Sequence, residues 1–349
     1  MLDLSSISLA WIIVGFLACA AVIAVAGTML AGRADVLADR IGWGEALVGA
    51  VLLGGSTSLP GILTSVVTAY QGYPSLSIAN AIGGIAVQTA FLAIADLFYR
   101  KANLEHAAAS AANLSQGSLL VALLAVPLAA AAAPSWTVLG VHPATLVILG
   151  GYAYGIRLVK LAKEEPMWFP RMTRETQDEQ KEAQETEAGE DGNTPLSRLW
   201  TEFGLLVLAV AVAGLGISQT GVAIAERTGI AETAVGGLMT AVATSLPELV
   251  TSVAAVRRGA LTLAVSGIIG GNAFDTIFLA FADIAYRDGS LYHQIVDANR
   301  FVIAATIVMV GVLLMGLVRR EKQGPGGIGF ESATILVLYV LSAVVMARA

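Results

Sequence analysis

The chain has 349 residues, of which 56% are hydrophobic and only 13% are charged. A soluble domain usually carries about 25% charged residues, so this composition indicates a membrane protein. The single cysteine, Cys19, excludes a disulfide framework and a thiolate metal cluster. The net charge of −6 comes from the stretch 164–191, whose ten acidic and three basic residues sum to −7, so the remainder of the chain sums to +1.

Ten apolar stretches are each near the length of about 20 residues that a transmembrane helix needs. In chain order they are 7–31, 44–70, 75–99, 116–133, 136–157, 199–221, 232–256, 260–286, 300–318 and 328–347. The first stretch has no basic residue before it, so we interpret it as a true span and not as a signal peptide. The pattern predicts an all-α integral membrane protein with ten transmembrane helices.

The distribution of Lys and Arg predicts the orientation, because these residues concentrate in cytoplasmic loops. With the N-terminus outside, sixteen of the twenty Lys and Arg residues fall in inner loops. We therefore predict a multi-pass protein of the inner (plasma) membrane with both termini outside. The acidic stretch between the fifth and sixth spans is rich in Glu, Gln and Thr, which is typical of a disordered cytoplasmic linker.

The chain repeats itself at an offset of 187 residues. Aligning 57–100 with 244–287 gives 21 identities in 44 positions without a gap. Five predicted spans separate equivalent points, and because five is odd, the second copy crosses the membrane in the opposite direction. Such inverted repeats are typical of secondary transporters, whose substrate site lies near the midplane where the repeats meet. We predict five-helix repeats at 1–159 and 198–349, joined by a linker at 160–197.

The sequence T-S-L-P occurs once in each repeat, with its proline inside a predicted span. Pro60 and Pro247 remove a helical hydrogen bond, and the freed carbonyls are tolerated only against protein or a watery cavity. In the second copy, the spacing of Thr244, Glu248 and Thr251 predicts that they share one helix face. That face would be a stripe of oxygen atoms with a carboxylate in its middle.

A second polar motif follows in the next span of each repeat, as "NAIGGIAVQT" from Asn80 and "GIIGGNAFDT" from Gly267. Asn272 and Asp275 are three residues apart, so we expect them on one helix face directed towards Glu248. Oxygen ligands without sulfur or imidazole suit hard cations such as Ca²⁺ or Na⁺. Because a charged group at mid-bilayer costs about 2.5–3.5 kcal/mol, we interpret Glu248 and Asp275 as functional.

Other polar residues have structural interpretations. Buried hydroxyls in membrane helices often hold helices together, and for the following residues we weigh that role equally with ion binding: Thr64, Ser65, Thr89 and Thr276. Four carboxyl groups lie near span ends, where we expect solvated interface charges: Glu45, Asp96, Glu232 and Asp283.

The motif pairs "STSLPG" and "ATSLPE", then "ANAIGGI" and "SGIIGGN", resemble those of the sodium/calcium exchanger superfamily, the calcium/cation antiporters. The resemblance implies two inverted repeats of five helices that exchange Ca²⁺ for Na⁺ or H⁺ by alternating access. It implies that Glu248 is a main Ca²⁺ carboxylate and that Asp275 binds the ion or takes a proton. It also implies that cation ligands come from Thr57, Ser58, Thr244, Ser245 and Asn272, and we add Gln88 as a neutral ligand. Asn80 matches the first asparagine of the second motif.

The first repeat departs from the family pattern. Gly61 stands where the family has a glutamate, and Gln88 stands at the position equivalent to Asp275. Two carboxylates neutralise one divalent ion, and burial favours protonation of a carboxyl group. We therefore expect a Ca²⁺-linked antiporter with reduced Na⁺ occupancy or with proton coupling.

The sequence is also compatible with other functions. The chain could be a monovalent-cation carrier, or a non-transporting or leaking relative with a half-lost ion site. The absence of an H-E-x-x-H motif, a Ser/His dyad and paired catalytic aspartates argues against an enzyme. An organic-solute exporter is disfavoured because no aromatic or bulky polar residues surround Glu248. We expect inorganic cations and the lipid bilayer as partners, with no cofactor and no nucleic acid.

Overall fold

The computed structural model describes residues 4, 6–41, 54–97, 102–173, 176, 194–322, 324 and 328–349. This described part of the chain is helical and contains no β-strand. The helices are α1 (Leu9–Ile41), α2 (Gly55–Thr57), α3 (Leu59–Tyr70), α4 (Pro74–Asp96), α5 (Leu104–Ala107), α6 (Ala111–Ala132), α7 (Pro143–Glu164), α8 (Leu196–Thr228), α9 (Glu232–Thr244, with a π-helical turn at Val235–Thr240), α10 (Leu246–Arg258), α11 (Leu261–Asp275), α12 (Ile277–Ala285), α13 (Asp297–Arg319) and α14 (Phe330–Arg348).

Eight helices of the described residues are long and apolar enough to cross a membrane, counting α11 and α12 as one, and the bent pair α9–α10 makes a ninth. The chain is therefore a multi-pass membrane protein. The second predicted span is only partly described: α3 is apolar but short, and the span's beginning lies outside the described residues. The fifth span begins at Pro143 and not at 136, because the His142 side chain accepts the backbone N–H of Ala144 and caps the helix there.

Helix α4 forms the centre of the bundle. In its most apolar stretch 94% of the residues are buried, compared with 28% in α1, α7 and α14. Its small residues allow close packing: a Cβ added to Gly83 would lie 2.6 Å from the Cα of Gly237 in α9. The peripheral helices expose leucine, valine and tryptophan side chains, as expected for surfaces that face lipid. Helix α4 is therefore enclosed by the other helices, while the outer helices present apolar surfaces to their surroundings.

The two T-S-L-P motifs mark helix breaks. Helix α2 ends before Ser58, α9 ends before Ser245, and each proline is the second residue of the helix that follows. The axes of α9 and α10 differ by 46°. The predicted single face carrying Thr244, Glu248 and Thr251 is therefore wrong, because Thr244 precedes the break and the other two residues follow it. The broken hydrogen-bond ladder at proline is the physical reason.

Glycines bring the long helices α1 and α8 against these breaks. A Cβ on Gly27 would lie 2.5 Å from Cγ of Pro247, and a Cβ on Gly214 would lie 2.9 Å from Cα of Pro60. The two contacts are equivalent at the offset of 187 residues, since 27 corresponds to 214 and 60 to 247. Only glycine permits this approach at both places, so α1 supports one break and α8 the other.

The interpretation of Asp96 and Asp283 as solvated interface charges is wrong. Asp96 is 1% exposed and Asp283 is 0% exposed. Each carboxyl group accepts hydrogen bonds from backbone N–H and hydroxyl donors, which offset the cost of its burial. Glu232 is half-buried and accepts the N–H of Leu76 at 3.3 Å, whereas Glu45 lies outside the described residues.

Candidate cation site

A small polar cavity lies where α4, α11 and α12 meet the two helix breaks. Its volume of about 10 Å³ leaves room for about one water-sized particle. Its lining comes from both repeats and consists of Ser58, Gly61, Asn80, Gly84, Gln88, Thr244, Ser245, Glu248, Asp275 and Phe278. Elements far apart in the sequence therefore contribute oxygen atoms to one enclosed space.

Asp275 ends α11 and has both carboxyl oxygens occupied by neutral donors. The Ser58 hydroxyl donates to Oδ1 at 2.6 Å, and the Gln88 amide donates to Oδ2 at 2.7 Å. The residue is 1% exposed, so these donors replace the water that it loses on burial. Charge-assisted bonds of this kind stabilise an ionised carboxylate and fix its orientation.

The same bonds join equivalent positions of the two repeats. Gln88 and Asp275 are 187 residues apart and contact each other directly. The bond from Ser58 to Asp275 has an equivalent in the bond from Gln88 to Ser245, at 3.1 Å. The repeat copies therefore meet at this pair, with an amide on one side and a carboxylate on the other.

Glu248 supplies the second carboxyl group. It is 8% exposed, and the Thr57 hydroxyl lies within hydrogen-bonding reach of it. Its Oε2 is buried without a hydrogen-bond partner, and so is Oε1 of Gln88. Both residues line the cavity, so acceptor oxygens without donors surround a space for one small particle. A cation satisfies such oxygens without needing a proton donor.

The predicted site residues do not all lie in the cavity. Six of the eight line it, namely Ser58, Gln88, Thr244, Ser245, Glu248 and Asp275. Thr57 lies beside Glu248. Asn272 does not line the cavity, because its amide donates to the Thr89 hydroxyl of α4 at 2.9 Å. Asn272 therefore holds α11 against α4 in this arrangement.

Asn80 lines the cavity although its role as a ligand was not among the predictions. Its amide donates to the Gly61 carbonyl at 3.2 Å and to the Ser65 hydroxyl at 2.9 Å, while its Oδ1 accepts from Thr240 at 2.7 Å. Every polar atom of this side chain thus has a protein partner, and Asn80 positions the backbone around the first break. The match of Asn80 to the first asparagine of the family's second motif was the sequence signal for this residue.

Phe278 occupies the space beside Gly61. A Cβ added to Gly61 would lie 2.6 Å from Cε2 of Phe278, which is closer than real carbon contacts permit. The position equivalent to Glu248 therefore has neither a carboxylate nor room for one while the ring is in place. No sequence pattern indicated this contact, because Phe278 is equivalent to Phe91 in the first repeat and resembles any other apolar residue of a membrane helix.

A metal ion bound here would depend on two carboxylates and several neutral oxygens. In the part of the chain that the structure describes, no three His, Cys, Asp or Glu side chains come together as a metal site. Hydroxyl, amide and carboxylate oxygens are the ligands that Ca²⁺ and other hard cations take. Two negative charges in the cavity match one divalent ion or two monovalent ions.

The model of the family described as "Sodium/calcium exchanger protein" matches residues 11–153 and 199–348. The chain belongs to the sodium/calcium exchanger family. The match leaves out only the ends and the stretch that includes the acidic linker, so both polar motifs of each repeat lie within it. The resemblance stated from the motifs is confirmed.

Relatives of this exchanger-family chain include an inner membrane protein and a named exchanger. Inner membrane protein YrbG of Escherichia coli (strain K12) is 29% identical over 173 residues, 49% of this chain and 49% of that protein. Sodium/calcium exchanger MaX1 of Methanosarcina acetivorans is 27% identical over 140 residues, 39% of this chain and 40% of that protein. The aligned region thus spans about half or less of each relative. The solved structure of the H⁺/Ca²⁺ exchanger CAX superposes with a TM-score of 0.65 at 13% identity, covering 97% of this chain and 85% of that one, which shows a common fold.

Proposed function

We propose that this protein is a secondary active antiporter that exchanges Ca²⁺ for Na⁺ or H⁺ across the membrane by alternating access. Glu248 and Asp275 carry the charge that binds the cation. Hydroxyl or carbonyl oxygens come from the residues around the two breaks, Thr57, Ser58, Thr244 and Ser245, and the carbonyl of Gln88 adds a neutral ligand.

The unpaired acceptor oxygens in the cavity are the observation that carries this proposal. Oε2 of Glu248 and Oε1 of Gln88 are buried without donors, and both residues line the same cavity as Asp275. Buried acceptors of this kind are unfavourable in a structural role and favourable as ligands of a cation. Membership of an exchanger family supports the same conclusion.

We propose ten spans arranged as two inverted repeats, 1–159 and 198–349, around a cytoplasmic linker at 160–197. Contacts that recur at the 187-residue offset support this arrangement. They include the glycine–proline contacts at both breaks and the hydrogen bonds of Ser58 and Ser245. The distribution of Lys and Arg supports an inner-membrane orientation with both termini outside.

Charge balance limits the counter-ions. One Ca²⁺ neutralises both carboxylates, so the return step needs two monovalent charges, either two Na⁺ or two protons that convert both groups to acids. The cavity lacks the third carboxylate that a glutamate at position 61 would supply, and Phe278 fills the adjoining space. The small cavity favours protons, because two protonated acids need no additional volume. One relative named above is a sodium/calcium exchanger, and the protein of the same fold named above is an H⁺/Ca²⁺ exchanger.

Ca²⁺ uptake into proteoliposomes tests the function. One set of vesicles has an outward Na⁺ gradient, a second has an outward H⁺ gradient, and a third has neither. We expect uptake with at least one gradient, stimulation by the trans counter-ion, and complete loss in Glu248→Gln. The exposed Asp297→Asn serves as a matched control, because its side chain is 94% exposed and should transport normally.

Two other outcomes would contradict the proposal. If folded protein takes up no Ca²⁺ with either gradient but exchanges Na⁺ or K⁺, it is a monovalent-cation carrier. If uptake occurs without trans-stimulation, the protein conducts ions as a leak and does not exchange them. The second carboxylate and the family match favour the calcium antiporter over both.

A further inference from the structure

A second cluster of carboxyl groups lies at the C-terminal end of α4, away from the cavity. This carboxyl cluster consists of Asp96 of α4, Glu105 of α5 and Glu331 of α14, each at most 1% exposed. Asp96 follows Gln88 by eight residues on α4, which corresponds to about 12 Å along the helix axis. The cluster is therefore separate from the proposed cation site.

The 187-residue offset maps the carboxyl cluster onto a counterpart cluster at the end of α12. The equivalent positions are Asp96 and Asp283, Glu105 and Tyr292, Ser332 and Thr145, and Glu331 and Ala144. The two aspartates accept matching backbone bonds: Leu104 N–H donates to Asp96 at 2.7 Å, and Leu291 N–H donates to Asp283 at 2.9 Å. The two clusters thus share a backbone arrangement, and the counterpart cluster shows how its hydrogen bonds are directed.

In the counterpart cluster the donors can be assigned. The Thr145 hydroxyl donates to Asp283 at 2.7 Å, because a carboxylate only accepts. Thr145 has a single proton, and that proton is used in this bond. The contact of 3.0 Å between the Thr145 and Tyr292 hydroxyl oxygens therefore has Tyr292 as its donor.

A similar arrangement with longer contacts exists in the carboxyl cluster, with Glu105 in place of Tyr292. Ser332 donates to Asp96 at 3.0 Å, and Oε1 of Glu105 lies 3.5 Å from the same Ser332 oxygen. Because Ser332 has one proton, a favourable contact requires Glu105 to be the donor. We propose that Glu105 is a proton-binding site, whose protonated carboxyl group donates to Ser332 as the Tyr292 hydroxyl donates to Thr145.

Buried oxygens without partners support this assignment. Oε2 of Glu105, both carboxyl oxygens of Glu331 and Oδ1 of Asn103 are buried and unpaired. The Asn103 amide and the Glu331 carboxyl group lie together, since a Cβ on Gly329 would be 3.2 Å from Nδ2 of Asn103 and 2.5 Å from Oε2 of Glu331. Three ionised carboxylates in such a site would be strongly unfavourable, whereas protonated acids are tolerated.

The charged groups around Glu105 do not neutralise it within the described residues. The nearby acids are Asp96, Glu321 and Glu331, and the nearby bases are His106, Arg319, Arg320 and Lys322. Arg320 donates to the carbonyls of His106 and Arg171 and to the Thr176 hydroxyl. Arg319 pairs with Glu321 at 3.7 Å. No ion pair joins this part of the described chain to Glu105. Helix α11, which packs against α5, has no titratable residue other than Asp275.

A proton fits the cluster better than a metal ion does. In the described part of the chain the carboxyl groups do not approach one another as metal ligands would. Burial, followed by the charges of Asp96 and Glu331, raises the pKa of Glu105 from its usual value near 4.5 to about 8. Deprotonation would place a second negative charge beside Asp96 and break the link from α5 to α14.

The pH dependence of thermal unfolding tests the site without any assumption about transport. Between pH 4.5 and about 8, the folded chain holds a proton on Glu105 that the unfolded chain has released. One such proton favours unfolding about tenfold for each pH unit of increase in this window. We therefore expect the Tm of the purified protein to fall from pH 5.5 to 8, and the fall to be smaller in Glu105→Gln, whose amide still donates to Ser332 but cannot ionise.

Tyr292→Phe is the matched control, because it removes the equivalent donor from the counterpart cluster. It should lower the Tm by a similar amount at every pH and leave the wild-type slope unchanged. If Glu105→Gln does not fold, Glu105→Tyr is used as the test variant, because it introduces the residue found at the equivalent position of the counterpart cluster. If the Tm of the folded Glu105 variant falls with pH as steeply as the Tm of the wild type, the proposal is overturned.

Infrared difference spectra between pH 6 and pH 9 provide a direct second measurement. The wild type should lose a carboxylic-acid C=O band as the pH rises, and Glu105→Gln should lose less. The comparison is repeated in a Glu248→Gln/Asp275→Asn background, so that the carboxyl groups of the cation cavity cannot account for the difference. If the wild type and Glu105→Gln lose the same amount of the C=O band between pH 6 and pH 9, the proposal is overturned, even if transport is normal.

Discussion

The two helix breaks have similar backbones and opposite chemistry. Each follows a serine, has proline as the second residue of the next helix and packs against a glycine of a long helix. One residue after the proline, the first break has Gly61 under the Phe278 ring and the second has Glu248 at the cavity. Proline and glycine therefore determine the shape of the site, while its charge is carried by one repeat.

This difference between the breaks sets the number of carboxylates in the site and therefore the cation charge that the site can neutralise. Hydroxyl groups of Ser58 and Ser245 bond equivalently across the repeats, so both halves build the enclosure. Both carboxylates come from the second repeat, and the first offers the Gln88 amide. A site of this kind has two charges to exchange per cycle under the proposed function.

After Glu248→Gln, which should abolish uptake, replacing Asp275 should have the largest effect on transport. A unit charge at about 4 Å is worth about 4 kcal/mol at an effective dielectric constant of about 20, so Asp275→Asn should weaken Ca²⁺ transport at least about 100-fold. Initial uptake rates over a range of Ca²⁺ concentrations measure the loss. Asp297→Asn, on the exposed start of α13, should change the rate less than about twofold, since an exposed charge contributes little. Normal transport by Asp275→Asn would remove Asp275 from the site.

Gln88→Ala should have the next largest effect, because it removes the amide that faces Asp275 across the repeats. Hydrogen bonds to charged groups are worth about 1.5–3 kcal/mol, so uptake should fall about tenfold or more. Gln71→Ala makes the same change at the end of α3, outside the cavity lining, and should leave uptake unchanged. An unaltered Ca²⁺ affinity in Gln88→Ala would mean that the amide only fills space.

Gly61→Ala tests whether the aromatic ring blocks the first break. The new Cβ would lie 2.6 Å from Phe278, and overpacking of this kind costs about 1–3 kcal/mol. Thermal or denaturant unfolding in detergent measures the loss. The double variant Gly61→Ala/Phe278→Leu should be more stable than the sum of its single changes predicts.

Gly311→Ala is the control for this cycle, because nothing lies within 4 Å of the position where its Cβ would be added. It should be neutral or stabilise α13 by up to about 1 kcal/mol. Strict additivity of the Gly61 and Phe278 changes would show that the two residues do not interact.

Local patterns predicted the all-helical membrane fold and the polar motifs, because apolar length and proline position are local properties. The repeat likewise predicted which segments meet, since Gln88 and Asp275 are equivalent in sequence and in contact. Contacts between distant helices were not predictable in this way. The bend at Ser245, the ring beside Gly61 and the burial of Asp96 all depend on which neighbour fills a given space.

Asn272→Ala should have the smallest effect on transport. This variant tests the sequence prediction that Asn272 is a cation ligand, which the position of its side chain outside the cavity lining does not support. Asn272 donates to Thr89 outside the cavity lining, and loss of one such bond costs about 1 kcal/mol of stability. Ca²⁺ uptake should remain within about twofold of wild type, and Thr89→Val should lower the Tm by a similar amount. Because both changes break the same bond, the double variant should be little less stable than either single variant. A tenfold loss of uptake in Asn272→Ala, with no such loss in Thr89→Val, would mean that the Asn272 amide turns towards the cation in another state of the transport cycle.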